Sequence, residues 1–213
     1  MREKLRKTFR SIWLGNRWGG HISPSGKGSD PEDTHILVDN LPIIFKDLGI
    51  QSVLDVGCGS FTWMDDVTKA SGVRYTGVDI VDEAIEVNKA EQPYMDFRVC
   101  DATSEPLPSA DLAIVRDMLQ HLSLQHGVFV IRNAISHCDY LMATTFPDVT
   151  VNEEAQHTGH WRPLNLHLAP FYLPPADILF QEVRDGKLLC VWHPEHLKEM
   201  HCGTLSEAPP RII

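Results

Sequence analysis

Long apolar runs are missing from this sequence. No stretch approaches the ~18–20 consecutive apolar residues that a membrane-spanning helix needs, so we expect a soluble protein with no membrane contact. The first 13 residues are basic and lack the apolar core of about 7–15 residues that a secretory signal carries, which favours a cytoplasmic location. With 213 residues, 43% of them hydrophobic, the chain can form a sizeable core. We predict one domain over residues 1–213.

Cysteine is also scarce, and no CxxC pair is present. The five cysteines are odd in number and widely spaced, which is typical of reduced thiols and argues against a disulfide framework. The missing CxxC pair argues against a structural zinc site. Two His-x-x-His pairs, at 157–160 and 193–196, leave metal binding as an alternative. No carboxylate motif accompanies them, and we predict no metal site.

Positive charge is concentrated in one short segment. Residues 1–13 carry five basic side chains and one acidic one, a net of +4, whereas the whole chain carries −10. The other 200 residues therefore carry −14, and so acidic a body repels phosphate backbones. We expect no nucleic-acid partner. The basic segment is predicted to be a solvated helix face, with contact to an acidic partner, a membrane face or a second copy of the chain, as a homodimer, left open.

Short apolar segments alternate with helical ones between residues 52 and 145. Segment 52–57, SVLDVG, is a short, nearly continuous apolar run, as expected of a strand buried on both faces. The alternation predicts an α/β fold, a Rossmann-like doubly wound, mostly parallel sheet with helices on both faces. Asp185-Gly186 between two later extended runs predicts a C-terminal antiparallel hairpin. We predict strands at 52–57, 75–80, 97–100, 111–115, 139–145, 178–184 and 188–192, and helices at 34–48, 61–70, 82–91 and 125–137.

The segment before the first strand contains several residues that favour loops or begin, break or end helices. Residues 15–31 are rich in Gly, Ser and Pro and are predicted to be a loop. Thr34 is expected to cap the helix that follows, Pro42 to break or kink it, and Gly49 to end it.

The most informative segment is Val53-Leu54-Asp55-Val56-Gly57-Cys58-Gly59-Ser60. Here a buried strand enters a tight turn whose glycines allow close approach of the backbone to a ligand. Dinucleotides bind to similar turns, but the third glycine of G-x-G-x-x-G is replaced by Thr62. Asp55 favours a ligand with positive groups, such as the sulfonium and ammonium of S-adenosylmethionine (SAM), over an anionic pyrophosphate.

LDVGCGS resembles the first motif of the class I, Rossmann-like SAM-dependent methyltransferases, and the resemblance covers roughly residues 50–145. It implies SAM as cofactor, with Asp55 and the turn glycines at its methionine end. Asp79, which ends the second strand, would accept hydrogen bonds from the ribose hydroxyls, and Asp101 would receive the adenine amino group. The family often has a third glycine where this chain has Phe61. The implied cofactor-binding residues are Asp55, Gly57, Cys58, Gly59, Asp79, Ile80, Asp101, Ala102 and Arg116.

The segment Arg116–Ser123 follows the fourth strand, where the family places residues beside the transferable methyl group. Alignment of nucleophile, methyl carbon and sulfur supplies most of the acceleration in such a reaction. An acceptor that carries a proton also needs a base, and His121 and Asp117 are the candidate catalytic residues. Alternatively, His121 is a packed histidine early in a helix and Asp117 only shapes the pocket.

Two segments lie outside the alternating core. In residues 1–33 we predict an N-terminal helix and a lid loop, with Trp18 over the cofactor's methionine end; a flexible surface loop is the alternative. Residues 146–175 are predicted to be a substrate-side insertion, in which Arg162 clamps an acidic group and Trp161 stacks on a ring. The predicted substrate-binding residues are Trp18, Asn152, His160, Trp161, Arg162 and Asn165.

Taken with the resemblance, these features predict methyl transfer from SAM to an oxygen or nitrogen atom of a small molecule, such as a sugar or a secondary metabolite. The Asn-Pro-Pro-Tyr type of motif of adenine N-methyltransferases is absent, which together with the net charge argues against DNA methylation. The alternatives are methylation of a protein or peptide side chain, a non-catalytic SAM-binding protein, and an NAD-dependent oxidoreductase.

Overall fold

A computed structural model describes residues 2–182 and 186–197 of the chain. Within these residues helices and strands alternate in the order that the sequence predicts. The helices are α1 Arg2–Leu14, α2 Pro31–Asp47, α3 Trp63–Ser71, α4 Asp82–Glu91 and α5 Leu124–His137, with short 3-10 turns at Lys27–Ser29 and Leu119–His121. The strands are β1 Ser52–Val56, β2 Arg74–Asp79, β3 Asp96–Val99, β4 Ala110–Val115, β5 Cys138–Thr145, β6 Ile178–Gln181 and β7 Leu188–Trp192.

The seven strands form one sheet in the order β3-β2-β1-β4-β5-β7-β6. Strands β1 to β5 run parallel, whereas β7 is antiparallel to both β5 and β6. This architecture confirms the predicted α/β fold and its antiparallel C-terminal pair. The strand order reverses direction at β1, between β2 and β4, and ligands bind beyond the carboxyl ends of strands at such a point.

Both faces of the sheet are covered, because successive strand residues point to opposite sides. Val53 belongs to a core that includes α2 and α3, whereas Leu54 and Val56 belong to a core that includes α5. Every residue of β1 is buried, as the continuous apolar run predicts. Two packed layers of this kind hold the carboxyl ends of the strands in fixed positions.

Helix α1 folds back onto the domain. Its apolar side chains Leu5, Ile12 and Trp13 are buried, and Trp13 packs in a small core with residues that flank the start of α4. Its basic side chains Arg6 and Arg10 form ion pairs with Asp82 and Glu83, in the first turn of α4. The basic segment is therefore a helix whose inner face is packed and whose outer face is charged.

Three local expectations need correction. Helix α2 begins at Pro31, after Asp30, because proline suits the first helical position; Thr34 lies inside the first turn and its hydroxyl donates to the Asp30 carbonyl. Pro42 lies inside α2 without breaking it, since the helix is held by buried side chains on both sides of that position. Strand β6 ends at Gln181, and Asp185 of the predicted turn lies outside the described residues.

The 146–175 segment has no helix or strand. Its apolar side chains Leu164, Leu166, Phe171 and Leu173 are nevertheless buried in the core on the α5 side of the sheet. The segment is thus a packed layer of the domain.

Among residues 2–182 and 186–197, Cys58, Cys100, Cys138 and Cys190 form no disulfide bond, and Cys202 lies outside those ranges. In the same ranges, no helix is both long enough and apolar enough to cross a bilayer.

Candidate active site

A cleft opens at the carboxyl ends of β1, β2 and β4. Its empty space is about 1020 Å³, including the open mouth. Of the residues that the sequence predicts to act, twelve line this cleft: Trp18, Asp55, Gly57, Cys58, Gly59, Asp79, Ile80, Asp101, Ala102, Arg116, Asp117 and His121.

The glycine turn that follows β1 needs its glycines for two reasons. Gly57 and Gly59 have φ angles of 76° and 52°, which other residues adopt at a cost. A Cβ atom on Gly57 would also lie 2.9 Å from Cγ of Met118, and one on Gly59 would lie 2.3 Å from the Ser25 hydroxyl. The turn therefore brings bare backbone to the floor of the cleft.

Asp79 ties the glycine turn to the end of β2. One carboxylate oxygen accepts from the Gly59 N–H at 3.0 Å and the other from the Val81 N–H at 2.9 Å. Burial of the group raises its pKa above the ordinary value, although these backbone donors oppose the rise. Each carboxylate oxygen has a second lone pair, so Asp79 can still accept bonds from a ligand.

Asp55 lies deeper and is joined to Tyr75, a partner that the sequence analysis missed. The Tyr75 hydroxyl donates to Oδ2 of Asp55 at 2.8 Å, from the neighbouring strand β2. Burial raises the pKa of Asp55 to about 6, against the lowering effect of this hydrogen bond. The nearby Asp79 adds to the rise and Arg116 opposes it. Asp55 is thus a carboxylate that is charged at neutral pH and that a bound cation would stabilise.

Asp101, after β3, has one satisfied oxygen and one orphan. Oδ1 accepts from the N–H and the hydroxyl of Thr103, at 3.0 and 2.6 Å. Oδ2 is buried and has no hydrogen-bond partner among the described residues. A buried acceptor without a partner is costly, so this atom fits a ligand that brings an N–H donor, such as the amino group of adenine. The residues present therefore suit the cofactor that the resemblance implies.

A buried group of four charged side chains lies at the other end of the cleft. Arg116 donates to Glu182 Oε2 at 2.6 Å, and the Lys187 ammonium lies 3.0 Å from the same oxygen. Lys187 also pairs with Asp117, whose Oδ2 is 3.5 Å from Arg116. We call Arg116, Asp117, Glu182 and Lys187 the charge cluster. Glu182 and Lys187 come from the C-terminal hairpin, where no motif marked them.

The charge cluster shifts the pKa values of Arg116 and Asp117. Burial raises the pKa of Asp117, but Arg116 and Lys187 outweigh burial and leave that pKa below its ordinary value. Burial lowers the pKa of Arg116, but the carboxylates of Asp117 and Glu182 raise it further than burial lowers it. Two cations and two anions therefore face one another, and Asp117 is an anion at every physiological pH.

His121 is buried beside Trp18 at the same end. The two rings lie 4.4 Å apart, and both reach the carbonyl of Gly159: Trp18 Nε1 donates at 3.4 Å and His121 Nδ1 lies at 3.3 Å. Because a carbonyl only accepts, Nδ1 carries the proton and Nε2 has a free lone pair. Burial lowers the pKa of His121 to about 4, so the ring is neutral at pH 7.

The loop after α1 lies on the glycine turn. The Ser25 hydroxyl accepts from the Ser60 N–H at 2.7 Å, and Gly28 is so close to Asp117 that a Cβ atom would lie 2.9 Å from its Oδ2. The Asp30 carboxylate holds the loop through the N–H groups of residues 21 and 22, at 3.1 and 3.2 Å. The loop therefore contacts both the glycine turn and the end of the cleft where Asp117 lies.

The other five predicted substrate-binding residues are not in the cleft. Their polar groups brace the 146–175 segment, and their part in substrate binding stays a prediction that this placement does not support. Asn152 and Asn165 bond to each other and to loop carbonyls, Arg162 donates to the carbonyls of Gln120 and Glu153, Trp161 is half exposed against Phe146, and His160 packs on His157. No group of three or more metal-ligating side chains occurs in the part of the chain that the structure describes.

Comparisons with known proteins agree with this geometry. Residues 53–139 match a family model described as a methyltransferase domain. Magnesium protoporphyrin IX methyltransferase from Synechocystis PCC 6803, solved with SAM bound, is similar over 88% of this chain and 94% of its own, with 15% identity and a TM-score of 0.60. Human N-acetylserotonin methyltransferase in complex with SAM is similar over 87% of this chain and 58% of its own, with 14% identity and a TM-score of 0.61. No curated protein sequence matches the chain.

The sheet order and the acids at successive strand ends define a Rossmann-like fold of the class I methyltransferase type. Residues 53–139 match a methyltransferase domain, and the same fold occurs in methyltransferases solved with SAM bound, so SAM is the cofactor that these comparisons support. The interpretation of the glycine turn as an NAD site is therefore set aside.

Proposed function

We propose that this protein transfers a methyl group from SAM to an oxygen or nitrogen atom of a small molecule. One observation carries the proposal: a single cleft contains the three acids suited to the cofactor together with Asp117 and a neutral His121. A protein that only stored or sensed SAM would have no need of a base at this place.

Each acid has a distinct role toward the cofactor. Asp55 suits its ammonium and sulfonium charges, Asp79 suits its ribose hydroxyls, and the orphan oxygen of Asp101 suits its adenine amino group. When bound, SAM supplies a methyl group on positively charged sulfur, which is a good leaving group.

His121 and Asp117 would act on the acceptor. The free Nε2 of His121 accepts a proton from an attacking hydroxyl or amine, since the ring is neutral at pH 7. Asp117, held as an anion, accepts a hydrogen bond from the same group and orients it. Trp18, stacked on His121, excludes water from this end.

The cover of the cleft favours a small acceptor. Leu5, Phe9 and Trp13 of α1 lie over one part of it, and Trp18 and Ser25 of the following loop lie over another. A protein side chain would need this cover to open widely. The two SAM-bound neighbours are named for small molecules, magnesium protoporphyrin IX and N-acetylserotonin, which supports the same choice.

The test is methyl transfer from isotopically labelled SAM to a panel of hydroxyl and amine acceptors, with S-adenosylhomocysteine measured as the second product. For an acceptor that turns over, we expect His121→Asn to lower kcat by about 100-fold, since general-base catalysis contributes ~10²–10⁴-fold, with SAM affinity unchanged. Formation of S-adenosylhomocysteine only with added peptides or proteins would favour side-chain methylation. Tight SAM binding without turnover on any acceptor would favour a non-catalytic SAM-binding protein.

The lid function of the 1–33 segment belongs to the same proposal. Trp18→Ala removes the stack on His121 and the bond to Gly159, and we expect weaker SAM binding and slower turnover. If both stay unchanged, the segment is only a surface loop. A single domain over residues 1–213, a cytoplasmic location and a homodimer remain predictions from the sequence.

A further inference from the structure

A second cavity lies on the outer side of the loop after α1. It is a groove between that loop, α2 and α3, with about 650 Å³ of empty space including its open part. Ser29 and Trp63 line both this groove and the cofactor cleft, so the two cavities share a wall. The methyltransferase motifs do not account for the groove.

The shared wall lies at the acceptor end of the cleft. The guanidinium of Arg116 stands over the Trp63 ring, 5.3 Å from its centroid, and Arg116 contacts Asp117. Ser29 follows Gly28, the glycine that lies against the Asp117 carboxylate. The groove therefore adjoins the acceptor end of the cleft at Ser29 and Trp63.

The groove has a mixed lining, in which apolar side chains stand beside Ser29, Thr34, His35 and Thr62, and an acidic rim. Ile22, Pro31, Val38 and the Trp63 indole supply the apolar surface, and Ile22 is 60% exposed. Such surface suits a flat apolar body better than a sugar.

Two carboxylates, Asp39 from α2 and Asp66 from α3, supply the charge of the rim. Neither makes an ion pair or a hydrogen bond within residues 2–182 and 186–197, although both line the same groove. The negative charge of Asp66 contributes to the raised pKa of Lys69, but the Lys69 ammonium forms its ion pair with Asp65, at 2.7 Å. Among the described residues that line the groove, His35 is the one histidine, and none is a lysine or an arginine. The Nδ1 atom of His35 lies 3.1 Å from the Glu32 carbonyl.

Neither cavity offers a cation to an anionic ligand. The single arginine of the cleft lining, Arg116, is fully engaged in the charge cluster. A carboxylate or phosphate on the acceptor would face acids on both sides of the shared wall, whereas an ammonium group would be attracted.

We propose that the groove between α2 and α3 binds the non-reacting part of the methyl acceptor, and that this acceptor is a flat aromatic molecule with a cationic amine. The aromatic body lies along Trp63, and the amine lies between Asp39 and Asp66. This inference rests on the proposed function, because it assigns the acceptor of the same reaction.

The experiment compares compounds that differ only in the charge of one side chain. Tyramine, tyrosol and 4-hydroxyphenylacetate form one set, and tryptamine, tryptophol and indole-3-acetate form another. Binding to the full chain is measured by calorimetry with saturating S-adenosylhomocysteine. We expect the amine to bind more tightly than the alcohol, and the alcohol more tightly than the carboxylate, in at least one set.

Two double variants identify the groups responsible. Asp39→Asn with Asp66→Asn should weaken binding of the amine by roughly three- to tenfold and leave the alcohol unchanged, since exposed ion pairs contribute up to ~1 kcal/mol. The matched control, Glu32→Gln with Asp47→Asn, removes two exposed charges from α2 outside the groove and should leave both affinities unchanged. S-adenosylhomocysteine should bind equally to all three proteins.

The outcomes separate this inference from the proposed function. If S-adenosylhomocysteine and SAM do not bind, the proposed function fails. If they bind but both sets show no preference for the amine, or favour the carboxylate, the assignment of an aromatic amine is overturned. An amine preference that survives in the Asp39–Asp66 variant, or is lost equally in the control, overturns the role of the groove.

Discussion

The two ends of the cleft are built in different ways. At the cofactor end, three acids lie at or just after the carboxyl ends of β1, β2 and β3, and backbone N–H groups or hydroxyls hold each of them. At the acceptor end, the charge cluster joins the end of β4 to the β6–β7 hairpin, and charged side chains hold one another. The first end depends on short-range chain geometry, and the second on contacts between residues about 70 positions apart.

This difference has a consequence for ligand choice. Within residues 2–182 and 186–197, the three carboxylates of the cofactor end form no ion pair with a cationic side chain, although the charge of Arg116 lowers the pKa of Asp55, so a cation is the ligand they favour. The charge cluster has two positive and two negative side chains, so it imposes no net charge on the acceptor, although Oε1 of Glu182 is buried without a hydrogen-bond partner among the described residues. A preference for a positively charged acceptor at that end then comes from the acids of the adjoining groove, Asp39 and Asp66.

The largest expected effect concerns the charge cluster. Lys187→Met leaves Asp117 and Glu182 with Arg116 as their shared partner, in a place where the Lys187 and Glu182 side chains are 9% and 2% exposed. Breaking a buried pair by removing one partner costs about 3–5 kcal/mol, and we expect that loss in the free energy of unfolding. Urea denaturation followed by circular dichroism measures it.

The control for this prediction removes a whole pair. Lys187→Met together with Glu182→Gln leaves Arg116 with Asp117, so the double variant should be more stable than the single one. Equal loss in the two proteins would show that the four side chains do not act as a unit.

The next largest effect concerns the cofactor end. Asp79→Ala removes the acceptor of the ribose hydroxyls and releases the N–H groups of Gly59 and Val81. Hydrogen bonds to a charged group contribute ~1.5–3 kcal/mol each, so we expect SAM affinity to fall by about 100-fold in calorimetric titration. Asp139→Ala, at an exposed position, is the matched control and should bind SAM normally. Retained affinity in Asp79→Ala would remove this residue from the site.

The sequence could predict the cofactor end because its signals are local. A buried strand that enters Gly57-x-Gly59, and acids at the ends of the next strands, fix positions through the geometry of parallel strands alone. Tyr75 could not be recognised as a site residue from the sequence, because tyrosine is common in strands. Only the register of β1 and β2 shows that its hydroxyl can reach Asp55.

The acceptor end could be predicted only in part: Arg116, Asp117 and His121 follow the fourth strand, but the charged partners Glu182 and Lys187 meet them only in the folded chain. Glu182 and Lys187 have no motif, and their pairing with Arg116 and Asp117 depends on β7 lying antiparallel beside β5. Conversely, the sequence predicted Asn152 and Arg162 as substrate contacts, because polar residues after a fifth strand often border a pocket. Here they satisfy the carbonyls of a long segment without regular structure, which also demands polar side chains.

A smaller effect is expected from pH. The pKa of Asp55 is raised to about 6, so this group is mostly ionised at pH 7 and about one-tenth ionised at pH 5. Because the ionised form favours a cationic ligand, SAM affinity should fall by about tenfold between pH 7 and pH 5. His121, with its pKa lowered to about 4, stays neutral over that range.

Two variants sharpen the pH prediction. Tyr75→Phe removes a hydrogen bond that lowers the pKa of Asp55, so the midpoint of the affinity profile should move to higher pH. Asp55→Asn should give weaker binding and a flatter profile, with the remaining slope due to Asp79, whose pKa is also raised. An unchanged midpoint in Tyr75→Phe would mean that a different group governs the profile.

The smallest effect tests whether the loop after α1 joins the two ends. The Ser25 hydroxyl accepts from the Ser60 N–H and donates to the Ser60 hydroxyl, so it fastens the loop to the glycine turn. Ser25→Ala removes about 1 kcal/mol of hydrogen bonding, and SAM should dissociate about fivefold faster in stopped-flow measurements. Ser11→Ala, on the exposed face of α1, should leave the rate unchanged. The same loop contacts Asp117 through Gly28, so the acceptor KM distinguishes two roles. If SAM dissociates faster and the acceptor KM is unchanged, the loop serves the cofactor end alone. If the acceptor KM rises as well, the loop couples the two ends.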